Sequence, residues 1–61
     1  QEAQDAVERV VEGEPSVELG PQRSYIRRLQ HLLARRYNLY SQAMGREPDR
    51  RVTVYQGSPY G

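Results

Sequence analysis

Apolar residues near the start of the chain recur at helical spacing. Ala3, Ala6, Val7, Val10 and Val11 stand at i, i+3, i+4, i+7 and i+8, the stripe of an amphipathic helix over residues 2–12. Gly13 and Pro15 end it, because glycine accepts the turn past a helix end and proline cannot continue the hydrogen-bond ladder. From Ser16 to Leu19 the period drops to two, with Val17 and Leu19 on one side, which predicts a short strand. Gly20-Pro21 turns the chain. A second helix is predicted from about Tyr25 to Tyr37, capped by Ser24 and ended by Asn38 in a left-handed conformation.

Beyond it, Leu39, Ser41 and Ala43 alternate with Tyr40, Gln42 and Met44. Gly45 to Asp49 has turn chemistry, and Val52 and Val54 share one face of a β-branched run from Arg51 to Tyr55. Two strands around a Gly/Pro loop predict a hairpin. The order α-β-α-β-β, without internal repeat, predicts an α+β sandwich with helices packed on one face of a small antiparallel sheet. Residues 1–56 form the expected domain, and the Gly, Ser and Pro of 57–61 predict a disordered tail.

On a helical wheel of the second helix, Tyr25, Ile26, Leu29, Leu32, Leu33 and Tyr37 fall within an arc of about 140°. Arg23, Arg27, Arg28, His31 and Arg35 fall within another arc of about 140° on the far side. Arg36 alone intrudes on the apolar arc, and near the helix end it can snorkel to solvent. Like charges at i, i+4 repel, and no acid lies between Gln22 and Arg46 to relieve them. An unrelieved basic face is either simply solvated or takes its counter-charge from a ligand, and the lack of acids points to the ligand as much as to the solvent.

Composition sharpens this contrast. The chain of 61 residues has a net charge of +1, with nine Lys+Arg against eight Asp+Glu. Residues 1–20 hold six acids and Arg9, a balance of −5, whereas residues 21–61 hold eight arginines and two acids, a balance of +6. Such asymmetry points to an anionic partner for the basic half. Every base is arginine, whose planar fork grips phosphate with two hydrogen bonds and stacks on flat rings.

Other classes are poorly served. The chain has no cysteine, so a disulfide framework is impossible, and His31 is the sole strong nitrogen or sulfur ligand for a structural zinc. No nucleophile–base set or paired carboxylates are evident, so neither enzymatic activity nor a cofactor is expected. No apolar run approaches the roughly 20 residues that span a bilayer, and no signal peptide opens the chain. A soluble domain of the cytoplasm, or of the chloroplast stroma in a plastid, is expected. The start at Gln1 suggests a piece of a larger protein.

His31 lies between guanidinium groups, which lower a histidine's pKa, whereas a bound phosphate stabilises the imidazolium. Phosphate contact therefore suits it better than acid–base catalysis. Affinity for a nucleotide is expected to rise as pH falls toward about 6.

Arg27-Arg28-Leu29-Gln30-His31 places an Arg and a His with three residues between them, and this resembles the signature of the R-3-H domain, a small module that binds single-stranded nucleic acid. Val17-Glu18-Leu19-Gly20-Pro21 resembles that family's strand leading to a proline. Ser24-Tyr25-Ile26-Arg27 resembles its helix start, and Ser41 through Gly45 its Ser-x-x-x-Gly approach to the turn. Arg46-Glu47-Pro48-Asp49-Arg50-Arg51-Val52 is similar to its Glu-Pro-x-Arg-Arg-Val closing strand.

The resemblance implies a three-stranded antiparallel sheet with two helices on one side, and Arg27 and His31 together on the surface as a phosphate site. Arg50 and Arg51 match the closing basic pair, and Arg23, Arg28 and Arg35 extend the basic face. Gly20 departs from the larger apolar residue common there, and the acidic first helix is expected away from the binding face. The wording is similar to bacterial and chloroplast members, which are tethered to a KH or ATPase domain.

A single-stranded DNA- or RNA-binding module, monomeric as an isolated domain, is the function expected. Tyr40 or Tyr55 could stack on bases. A protein-interaction module using the basic face or the acidic first helix is the alternative.

Overall fold

Val52 and Val54, on the middle strand of the sheet, gather both helices onto one side of it. The computed structural model describes residues 2–57. Its elements are α1 (Glu2–Val11), β1 (Ser16–Glu18), α2 (Ser24–Arg36), β2 (Tyr40–Met44) and β3 (Arg51–Tyr55). The tail expected over 57–61 lies, apart from Gly57, outside the described residues. The strand order is β1-β3-β2 and both pairings are antiparallel. The fold is the expected small α+β domain.

The register sorts the side chains. Val54 lies between Val17 of β1 and Ser41 of β2, and Val52 lies opposite Ala43. Alternation puts these residues on the helix side and Tyr40, Gln42, Met44, Arg51, Thr53 and Tyr55 on the open side. The core is built from small residues, chiefly Ala3, Ala6, Val10, Leu19, Ala34, Val52 and Val54, with Leu33 and Leu39 packed against it.

Helix α1 buries Ala3, Ala6, Val7 and Val10, as its periodicity predicts. Val11, the fifth residue of the predicted stripe, is exposed instead, because it is the last helical residue and the chain turns away at Gly13 with φ 130°. Gly20 also has a local reason. Its N–H donates to Glu2 Oε2 at 3.0 Å, and a Cβ at that position would come within 3.2 Å of the same oxygen. The larger side chain that the family pattern favours would press on this carboxylate.

Helix α2 is rotated from its expected setting. Its buried residues are Arg27, Gln30 and Ala34. Tyr25 (59% exposed), Leu29 (53%), Leu32 (47%) and Tyr37 (44%) of the apolar arc face outward. Two features favour this. Ala34 is the smallest side chain on the helix and lets α2 approach the sheet closely, and Arg27 finds polar partners on the buried side.

The ends of α2 differ from each other. Arg23, not Ser24, is the N-cap, and no side chain caps the helix there. At the other end Asn38 has φ 59°, as expected. The Asn38 and Leu39 N–H groups donate to the Arg35 and Ala34 carbonyls, at 2.9 Å each, a Schellman ending.

This packing separates Leu29 and Leu32 of α2 from the valines of the sheet energetically. Leu29→Ala or Leu32→Ala should cost less than about 1 kcal/mol, because half of each side chain already meets water. Val52→Ala should cost about 2 kcal/mol from lost burial plus a cavity. Urea denaturation checks both; comparable losses would mean that the outer face of α2 is covered.

Candidate functional site

The basic residues of α2 do not share one environment. Arg27 is only 9% exposed, so it does not lie on the surface as the resemblance implied. Its Nη2 meets Glu47 Oε1 at 2.6 Å, and its Nη1 donates to the Gln22 carbonyl. The chain before α2 and the β2–β3 turn are thereby tied to one guanidinium. Glu47 is largely exposed, so the pair is half in water.

One helical turn on, His31 Nδ1 is hydrogen-bonded to Ser41 Oγ. Ser41 stands on the helix side of β2, in register with Val54, where a hydroxyl needs a partner. The His31 pKa lies below its ordinary value of 6.5, first because the ring is partly buried and then because Arg27 and Arg35 repel its positive form. The direction agrees with the charge pattern of the helix; the burial is visible only in the fold. The imidazole is therefore neutral near pH 7. Its Nε2 has no hydrogen-bond partner among the described residues.

Two open hollows meet at His31 and Arg35. One, of about 360 Å³, is lined by Ser24, Arg27, Arg28, His31, Leu32 and Arg35. The other, of about 550 Å³, is lined by His31, Arg35, Asn38, Leu39, Tyr40 and Ser41. Arg28 and Arg35 are exposed and have no carboxylate partner among the described residues. A phosphate at this junction would meet two free guanidinium forks and an imidazole, the donor set that anionic oxygens require.

The remaining basic residues lie elsewhere. Arg23 is exposed at the start of α2. Arg50 donates to the Gly45 carbonyl at 2.8 Å, and Arg51 Nε donates to Glu18 Oε2 at 3.0 Å on the open side of the sheet. Arg27, Arg28, His31 and Arg35 are thus brought together, whereas Arg50 and Arg51 make contacts within the hairpin and its neighbouring strand. Glu47 and Ser41 complete the site as partners of Arg27 and His31. Ser41 was detectable as a polar residue on the apolar side of a strand; Glu47 carried no such signal. Among the described residues no cluster of His, Cys, Asp or Glu could hold a metal ion, and no helix is long and apolar enough to cross a membrane.

The partnering of Arg27 reassigns the effect of its removal. Arg27→Ala should lower stability by about 1–3 kcal/mol through lost charge-assisted hydrogen bonds and packing. Arg28→Ala and Arg35→Ala should stay within about 0.5 kcal/mol of the parent. Chemical denaturation of the three variants checks the assignment, and an Arg27→Ala protein as stable as the parent would contradict it.

Comparison with known proteins bears on this geometry. The family model of the R-3-H domain matches residues 1–56. An uncharacterized protein, ycf45 of Porphyra purpurea, is 41% identical over 56 residues, which cover 90% of this chain and 10% of that protein. The chain thus spans about a tenth of the length of this relative. No solved structure matches it.

Proposed function

The chain belongs to the R-3-H domain family, and from that premise we propose that it binds single-stranded DNA or RNA by holding phosphates along α2 at Arg28, His31 and Arg35. Domains of this family are nucleic-acid-binding modules. The observation that carries the finer reading is the junction of the two hollows, where free guanidinium groups flank a neutral histidine with no carboxylate between them. Arg23 extends the strip toward the start of the helix. Arg27 acts as a positioning residue, since its charge is held by Glu47. Arg50 and Arg51 offer secondary contacts at the hairpin. The chain acts by binding, without catalysis, and the activity of any longer protein carrying it is set by its other domains, a KH or ATPase domain being the expected kind.

One observation favours a second reading. Tyr25, Leu29 and Leu32 form an exposed apolar strip beside the arginines, a surface suited to a protein partner. Capture of that partner would resist nuclease and added oligonucleotide, whereas the nucleic-acid reading requires binding of an oligonucleotide by the chain itself.

Affinity for a short single strand should fall steeply between roughly 50 and 200 mM salt, with a logarithmic slope near −0.7 per phosphate neutralised. Arg28→Ala or Arg35→Ala should weaken binding by about 1.5–3 kcal/mol and flatten that slope by about 0.7. A salt-independent affinity in fluorescence anisotropy would refute the ionic clamp.

The histidine sets a pH dependence. A phosphate stabilises the imidazolium, so binding raises the His31 pKa from its lowered free value and takes up a proton. Affinity should therefore rise as pH falls from about 8 to 6, and be flat above the bound-state pKa. NMR titration of the ring with and without oligonucleotide reads the shift; identical affinities at both pH values would remove His31 from the contact.

A further inference from the structure

We propose that Tyr40 is the base-stacking platform of this domain, so that a single strand leaves the α2 phosphate strip over the β2 edge and continues toward Tyr55. The inference rests on the reading of α2 as a phosphate site. It adds where the bases go, and hence the direction in which the strand lies.

Three observations converge on Tyr40. It is among the residues that line the hollow shared by His31 and Arg35, so the β2 edge that carries the ring borders the space of about 550 Å³ in which the phosphate donors lie. It opens β2, an edge strand, and is 48% exposed. It also stands directly opposite Tyr55 of the middle strand, with Ser16 of β1 on the far side of Tyr55. The row Tyr40–Tyr55–Ser16 crosses the open side of the sheet at the end reached from the last turn of α2. Tyr55 is half-buried beside Tyr40 and can support it or receive the next base.

The chemistry fits this placement. Phosphate and base of one nucleotide are joined by a single sugar, so a phosphate held by His31 and Arg35 keeps its base within reach of the strand edge that carries Tyr40. An aromatic face accepts any base, which gives affinity without sequence preference. Of the other exposed tyrosines, Tyr25 lies toward Leu29 and Leu32 and Tyr37 accepts from Gln4 of α1, and neither lines a hollow that contains His31. A strand turning toward Tyr25 would meet aliphatic side chains. The two directions therefore differ by one testable residue on each side.

Binding of a short oligothymidylate by the whole chain tests the proposal. Tyr40→Ala should weaken binding by about tenfold, the effect of one lost stacking contact, while the salt slope stays that of the parent. Tyr40→Phe should bind as the parent does. Tyr40→Leu, which keeps apolar cover over the strand edge, should lose affinity with its fold intact by circular dichroism. An abasic sugar–phosphate oligomer should bind parent and Tyr40→Ala equally.

The chain has no tryptophan, so Tyr40→Trp provides a single, selectively excitable tryptophan whose emission should be quenched when oligothymidylate binds. Parental affinity in both Tyr40→Ala and Tyr40→Leu, with Arg35→Ala still weakened, would overturn the stacking inference and leave the phosphate reading standing. A larger loss at Tyr25→Ala than at Tyr40→Ala would also overturn it, by sending the strand the other way. No binding of either oligothymidylate or oligouridylate by the parent chain would defeat both.

Discussion

Burial of the Arg27 guanidinium fixes the rotation of α2, and the layout of the molecule follows from that rotation. A helix packed on a sheet has one angular choice. With Arg27 turned inward to the Gln22 carbonyl and Glu47, Ala34 lies against the sheet and His31 reaches Ser41. Arg28 and Arg35 then emerge beside His31, and Leu29 and Leu32 are carried outward. Isolated ion pairs half in water contribute little to stability. A guanidinium that is itself buried must keep its partners, however, because leaving it unpaired costs more than the pair gains. The Arg27–Glu47 contact therefore acts more on orientation than on net stability.

This rotation is also where sequence and structure part. The chain order of elements, the α1 stripe, the paired Val17 and Leu19, the Val52/Val54 face and the left-handed Asn38 all follow from local periodicity or local backbone chemistry. Each depends on residues within a few positions of one another. The facing of α2 does not. Its most hydrophobic arc contains Leu29 and Leu32, yet the buried arc contains Arg27 and Gln30, because Arg27 has a carboxylate partner from a distant turn. A wheel weighs each residue by its own hydrophobicity and is blind to partners supplied from elsewhere. The His31–Ser41 contact was half visible, since Ser41 alternates onto the same face as Ala43. Its partner emerged only once α2 was placed.

The charge distribution has the same logic. Glu14 pairs with Arg9, Glu18 with Arg51 and Glu47 with Arg27. These acids are spent on arginines outside the strip or behind it. The net charge of +1 is thus no guide to the field over α2, where Arg28 and Arg35 have no carboxylate partner among the described residues. The acids of α1 balance the chain as a whole and not this face.

His31 links that field to what the face can hold. Its ring is kept neutral by partial burial and by the guanidinium groups of Arg27 and Arg35, and the second of these belongs to the proposed phosphate strip. An arriving anion reverses the balance, because it offsets the arginines and gives the imidazolium a counter-charge. Removing the opposition to protonation and gaining a third positively charged donor are then one event. An uncharged ligand offers neither, so on the proposed reading the arrangement would favour anions beyond simple attraction. That selectivity depends on His31 being held by Ser41 at the border of the core, where protonation without a ligand is disfavoured, and it comes back to the inward turn of Arg27.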